Sequence, residues 1–220
     1  IRLSNSSINT ENGRWRAKLL PVRMDLESIF AAFGMTGEKT PAGSLGGKIK
    51  LKGNRFNPEA VVGSGTIKVA RGILYDFPIF ASIFNVLDLQ MPRQKPITDA
   101  YGNFEINNGK ITINELLLTG GTAPMLMEGS VGLKKGLDLR KQNLDLLITT
   151  AKTDGLLDRI PVINWIKHYT LDLFKRLAMQ VQIEGTIENY KVNRLSGPVT
   201  EPVEKMWGLM ENLSHTPPEK

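Results

Sequence analysis

Two periodicities take turns along the chain. In Arg14 to Leu19, Trp15, Ala17 and Leu19 alternate with Arg14, Arg16 and Lys18, and in Ser64 to Ala70, Ile67 and Val69 alternate with Thr66 and Lys68. A period of two predicts strands with one face buried and one solvated. Lys48, Lys50 and Lys52 carry the same mark of a wet strand face. Phe104 and Ile106, then Ile111 and Ile113, flank Asn107-Asn108-Gly109, where Asn and Gly tolerate the positive φ of a tight hairpin turn. Further strands are expected at Leu116 to Thr119, Met125 to Leu133, Leu137 to Leu139, Leu144 to Thr149 and Ala178 to Ile187. The links between them are too short for crossover helices, so the expected arrangement is an antiparallel meander.

Helical spacing interrupts this pattern at four places. Leu26, Ile29, Phe30 and Phe33 fall on one helix face, with Gly34 as the stop. Ile79, Phe80, Ile83, Phe84 and Leu87 give a second face, with Asp76 as N-cap and Pro78 in the first turn. A third helix is expected from Asp154 to Leu177, broken by Pro161. The last starts at Thr200 and places Val203, Met206, Trp207, Met210 and Leu213 on one side. The fold class is therefore α+β, with these amphipathic helices packed on or capping the sheet. Residues 1–195 are expected to form the β-rich unit, and residues 196–220 a C-terminal helix with a loose tail after Pro217.

Composition narrows the chemistry. The chain has 220 residues, 41% of them hydrophobic, enough for one large core or two small ones without metal or disulfide staples. Cys is absent, which removes disulfides, thiolate nucleophiles and Cys-ligated zinc. His168 and His215 are the two histidines, without metal-ligand spacing around them. Gly63-Ser64-Gly65 is read as a turn, since no Lys-Ser/Thr pair follows to make a phosphate loop. The net charge of +6 permits attraction to nucleic acid or to anionic headgroups. Nucleic acid is not expected, because the basic residues are spread at period two without interleaved aromatic platforms. Leu156 to Leu177 contains Asp158, Arg159, Lys167, His168 and Asp172, too many charges for a membrane span. The start at Ile1 instead of Met is what a fragment or processed product would show.

One ordered set of short motifs resembles a known family. Gly63 to Leu74, passing into Pro78-Ile79-Phe80, resembles the Gly-x-Gly strand and following helix of the AsmA-like C-terminal region. Phe104 to Lys110 resembles the hairpin of that family, and Leu116 to Gly120 followed by Met127 to Val131 resembles its next strand pair. Val181 to Lys191 resembles the closing strand and turn, with Tyr190 where Pro is usual. The resemblance covers about Leu45 to Pro202. It implies an antiparallel sheet curved into a taco-like groove, related to bridge-like lipid transport proteins and to AsmA and TamB. It also implies a periplasmic domain, anchored to the inner membrane by a tether outside this chain, and transfers no catalytic residue.

The positive chemical signal is apolar and distributed. Phe77, Phe80, Phe84 and Leu87, together with Ile163, Trp165 and Ile166, offer large apolar helix faces. Leu116-Leu117-Leu118 and Leu144 with Leu146, Leu147 and Ile148 make strands apolar on both sides, which require two covers. Phe77, Phe80, Phe84, Leu87, Leu117, Leu147, Ile163, Trp165 and Ile166 are the candidate lining of a groove for phospholipid or another acyl lipid, used in transfer within the cell envelope and without a cofactor. An envelope assembly factor that pairs its sheet edge with a protein partner is the alternative. A lipid- or glycan-cleaving enzyme is the third, and Glu115 and Glu128 are carboxylates whose separation sequence does not establish.

Overall fold

The computed structural model describes residues 2–9, 11–20, 24–32, 42–54, 57–73, 78–87, 97–120, 124–133, 141–151 and 171–215. Eleven strands are found among them: β1 (Arg2–Ile8), β2 (Arg14–Leu20), β3 (Met24–Asp25), β4 (Ala42–Asn54), β5 (Asn57–Ile73), β6 (Ile97–Asn107), β7 (Lys110–Gly120), β8 (Met125–Gly132), β9 (Asn143–Ala151), β10 (Ala178–Thr186) and β11 (Tyr190–Leu195). Four helices accompany them: α1 (Leu26–Ala32), α2 (Pro78–Val86), α3 (Leu171–Leu177) and α4 (Thr200–His215). All the strands belong to one open antiparallel sheet, ordered β1-β2-β4-β5-β6-β7-β8-β9-β10-β11. The short β3 pairs with β4 at Met24↔Leu45, on β4's first half, while β2 pairs with its second half.

Register decides which side chains share a face. Leu51↔Gly63, Gly63↔Ile106, Ile106↔Ile111, Ile111↔Val131, Val131↔Leu144, Leu144↔Gly185 and Gly185↔Tyr190 run as one row across β4 to β11. Every position in that row is apolar or aromatic. Since faces alternate with period two, the residues two positions along each strand join the same face, and their immediate neighbours join the other. A β-bulge between Ile113 and Leu116 keeps β7 in phase with β8. The sheet therefore has one apolar face across nearly its full width. Its other face carries most of the Lys, Arg, Glu, Gln and Thr side chains, with Thr150 and Arg194 on the apolar face as exceptions, and has a short apolar stretch on β7 to β9.

Each face has its own cover. Leu26 of α1 and Ile79, Phe80, Ile83, Phe84 and Leu87 at α2 are buried against Val69, Ala100, Leu118, Met125, Ile148, Val181 and Ile183 on the apolar face. On the opposite face α3 and α4 bury Phe174, Val203, Met206 and Met210 against Leu117, Leu126 and Ala151. Phe174 and Trp207 meet edge to face at 5.9 Å, joining the two helices. Asp25 caps α1: its Oδ2 accepts hydrogen bonds from the Ser28 backbone N–H (2.9 Å) and from the Ser28 hydroxyl (2.7 Å). The Ser28 side chain, then the Ser28 N–H, hold that carboxyl below its usual range.

The hairpin, α2 and the helix from Thr200 stand where the periodicity puts them, and the described parts of the first and third expected helices, Leu26–Ala32 and Leu171–Leu177, are helical as expected. Gly63-Ser64-Gly65 is not a turn: it lies inside the 17-residue β5. Its glycines serve close packing against neighbouring strands instead of chain reversal. β1, with its polar sequence RLSNSSI, and β11 are strands that no alternation announced. The expected strand Leu137 to Leu139, the segment from Asp154 to Pro161 and onward to 170, and Asp76, Phe33 and Gly34 lie outside the described residues.

Asn108 (φ 51°) and Gly109 (φ 65°) make the two-residue turn between Asn107 and Lys110, both in the left-handed region, as a type I′ hairpin requires. A Cβ on Gly109 would meet only the Leu133 carbonyl oxygen, at 3.5 Å, so the strain of a larger residue there is conformational. Gly109→Val should lower stability by about 1 kcal/mol or more, read as a lower urea midpoint at unchanged slope.

Candidate functional site

Among the described residues, the apolar face is wider than the helices that cover it. Under α1 and α2 its side chains are fully buried, whereas Trp15, Ala17 and Leu19 on β2, Ile49 and Leu51 on β4, and Phe104, Ile106, Ile111 and Ile113 on β6 and β7 are only half-buried. On this exposed part, bulky residues stand opposite glycine on the next strand: Trp15 opposite Gly53, Leu51 opposite Gly63, Phe104 opposite Gly65 and Leu116 opposite Gly102. A Cβ built on these glycines would lie 2.7, 2.6, 2.8 and 2.8 Å from those side chains. The large groups therefore lie down across the neighbouring backbone, and the floor stays low where upright side chains would have filled the space.

A cavity of about 390 Å³ opens over that low floor beside the first turn of α2. Ile79 and Phe80 wall it from the helix, and Ile67, Gly102, Phe104, Ile111, Ile113 and Leu116 form its floor on β5 to β7. Met127, Val131, Leu144 and Leu146 extend it over β8 and β9, and Ile187 of the β10–β11 turn closes one side. Asn103 and Glu115 border it, and the other groups named are aliphatic, aromatic, thioether or glycine. Its size falls within the usual 300 to 1,000 Å³ of small-molecule sites. Five neighbouring strands at about 4.8 Å per interval give it a span of roughly 19 Å across the sheet. Hydrogen bonding between the Ser82 hydroxyl and the Tyr190 hydroxyl (2.9 Å) fixes α2 to β11, so the helix wall is pinned at its far side.

Polar groups are engaged elsewhere. Lys205 of α4 reaches the bulge of β7 on the opposite face, donating to the Asn114 carbonyl oxygen (2.7 Å) and to Glu128 (2.5 Å), with Glu115 at 4.0 Å. Asn103 donates to Glu115 at 2.5 Å. Glu115 and Glu128, the two carboxylates raised as an acid/base pair, thus both face a lysine that ties a helix to the sheet. Thr149 accepts from Gln180 (3.0 Å), and Thr150 donates to the Pro124 carbonyl oxygen (2.8 Å). Among the described residues no group of three or more His, Asp or Glu side chains could hold a metal ion. Among them, too, no helix is long and apolar enough to cross a membrane.

The sequence candidates divide between places. Phe80, Phe84 and Leu87 are together on α2 or just past its end and face the apolar sheet, but of the three only Phe80 borders the cavity. Phe84 and Leu87, each 1% exposed, are core that anchors the wall. Leu117 and Leu147 point to the opposite face, since their neighbours Leu116 and Leu146 occupy the cavity side. Leu117 is buried under α3 and α4, while Leu147 is half-buried and stands between Glu128 and Gln182. Phe77, Ile163, Trp165 and Ile166, like His168, lie outside the described residues. The lining that sequence reading missed, Phe104, Ile111 and Ile113 above all, carried a signal in its alternation about the Asn-Gly turn. Comparison with family models, with curated proteins and with solved structures finds no match.

Two separate cores and one half-exposed floor imply different mutational responses. Phe84→Ala and Leu117→Ala should each destabilise by about 2 to 5 kcal/mol. Because they belong to clusters on opposite faces, the double variant should equal the sum within roughly 0.5 kcal/mol. Ile113→Ala should fall well below either in the same denaturation series, as its side chain is already partly in water.

Proposed function

We propose that this chain is a non-enzymatic domain that binds lipid and passes it on within a bacterial envelope, with acyl chains lying along the apolar face of the sheet curved as a trough. The observation that carries this reading is the apolar cavity between α2 and a floor of half-buried aliphatic and aromatic side chains on β5 to β9. A monomer gains nothing from leaving such surface partly wet, and a hydrocarbon ligand removes it from water. The dimensions agree with this occupant. One leaflet of a bilayer is about 15 Å of hydrocarbon, half the usual core thickness, and the cavity spans roughly 19 Å. Its floor also continues past β5 onto Leu51, Ile49 and Trp15, so a chain has an apolar path outward.

The motif resemblance to AsmA-like proteins supports the same function, and with it a periplasmic location and a membrane tether outside this chain. Strand addition to a protein partner is supported less. The two strands at the ends of the sheet, β1 and β11, have seven and six residues, and β11 carries Lys191 and Arg194, features that discourage pairing with another chain. Catalysis is supported least, as the carboxylates nearest the cavity are held by Lys205 and Asn103.

Gently purified protein should carry phospholipid in native mass spectrometry. Ile113→Asp, which sets a charge on the cavity floor, should remove the bound lipid at a melting temperature close to wild type, because a half-exposed carboxylate keeps its hydration when the site is empty. Ile113→Trp should also displace lipid, by filling the space. Leu147→Asp, on the opposite face, should leave binding intact. Wild-type protein that takes up no phospholipid, or equal loss in the Ile113 and Leu147 variants, would overturn the proposal.

A further inference from the structure

The face opposite the cavity holds a second unexplained feature at its β2–β4 end. Arg14, Arg16 and Lys18 on β2 and Lys48, Lys50 and Lys52 on β4 all point from this one face, with Arg16 directly opposite Lys52 and Lys18 directly opposite Lys50. Like charges paired across strands, with Cβ atoms about 5 Å apart, work against the fold. None of these six side chains makes an ion pair or a hydrogen bond among the described residues. Among the described side chains the nearest acidic group on the same face in the register is Glu105 on β6, opposite Ser64 with β5 between it and β4, at the edge of the depression that Lys50 lines. Two shallow depressions of about 630 and 740 Å³ lie among the basic side chains and share Arg16, Lys52 and Val62.

We propose that this basic face is a docking surface for a membrane bearing anionic phospholipid, held by headgroup phosphates and not by insertion. The charges form a grid, about 7 Å apart along each strand and 4.8 Å between strands, which offers several contacts at once to a surface of many phosphates. A protein partner would be expected to offer and require a buried apolar or aromatic anchor, and on this face of β2 and β4 the one large apolar side chain is Leu20, at the end of β2 and half-buried. Single-stranded nucleic acid would require stacking platforms. The Trp15 indole lies over Gly53 on the other face, and Tyr101 is occupied beneath the Lys68 ammonium at 5.1 Å. Each basic side chain near an anionic surface strengthens attachment about fivefold. Docking of this kind is independent of whether the opposite face carries lipid.

The test is flotation of the full chain with vesicles of phosphatidylcholine alone or mixed equally with phosphatidylglycerol. Binding is expected to the mixed vesicles only, and it should be released as salt rises from about 0.1 M to about 1 M, where screening shortens from roughly 10 Å to 3 Å. Arg16→Glu combined with Lys50→Glu should weaken vesicle binding at least a hundredfold. The same double variant should melt at the wild-type temperature or above, because it turns both like-charge pairs into attractive ones. Ile113→Asp should bind vesicles as wild type does, which separates this surface from the cavity. The proposal is overturned by wild-type protein that ignores anionic vesicles or binds neutral ones equally, or by a double variant that keeps its binding. Tighter, Arg16- and Lys50-dependent binding to an oligonucleotide or to polyglutamate would also overturn it, and would name the occupant instead.

Discussion

One constraint organises this protein: a single open sheet, paired antiparallel throughout, turns one whole face apolar and must keep that face from water. The row from Leu51 through Gly63, Ile106, Ile111, Val131 and Leu144 to Tyr190 crosses most of the sheet without a charged residue. A closed barrel would hide such a row inside itself, and a sandwich would supply a second sheet. Among the described residues the cover is two helices, α1 and α2, and they are smaller than the face. At about 25 cal/mol per Å² of apolar surface, the uncovered remainder is a standing driving force for whatever hydrocarbon can reach it.

The cavity follows from how that shortage is distributed. α2 is buried along Ile83, Phe84 and Leu87 and pinned by Ser82 to Tyr190, so it cannot slide over to fill the gap beside its first turn. The floor cannot rise either, because glycine at 53, 63, 65 and 102 lets Trp15, Leu51, Phe104 and Leu116 lie flat across the neighbouring strand. A Cβ at Gly102 would approach the Glu115 carbonyl oxygen to 2.6 Å, so backbone as well as side chain excludes a larger residue there. The opposite face is treated differently over the same strands. Leu117, Leu126 and Ala151 are sealed by α3 and α4, whose position Lys205 holds through Glu128 and the bulge of β7.

Charge is segregated along the sheet as well as across it. On the polar face, the charged residues of β2 and β4 are basic without acidic neighbours on those strands, while Asp99, Glu105, Glu128, Asp145 and Glu184 lie from β6 to β10, where Lys110 and Lys191 are interspersed and Lys191 stands directly opposite Glu184. Interleaving the two signs on β2 and β4, as Glu184 and Lys191 do on β10 and β11, would have stabilised that end of the sheet through cross-strand pairs. Keeping them apart leaves a field at one end of the molecule that acts over about a Debye length into solvent. The apolar face and the charged face thus present two different surfaces on opposite sides of the sheet, one suited to hydrocarbon and one to anions.

The strand alternation, the Asn108-Gly109 turn, the helix of Ile79 to Leu87 and the helix from Thr200 were all legible in the amino-acid sequence, because each rests on local spacing or on a residue's own φ preference. Period two also announced that Leu116-Leu117-Leu118 and Leu144 to Ile148 needed cover on both sides. Which leucine belongs to which cover was not legible. That depends on register between strands far apart in sequence and on a bulge at Ile113 to Leu116, so Leu116 and Leu146 came to the cavity while Leu117 and Leu147 went to the other face. β1 and β11 were silent in sequence because what makes them strands is the backbone hydrogen bonding of their partners β2 and β10. The basic residues could be counted at period two, but only the pairing of β2 with β4 set Arg16 against Lys52 and Lys18 against Lys50. Local physics wrote the elements; the shared face, the cavity and the charge grid exist only once the register is formed.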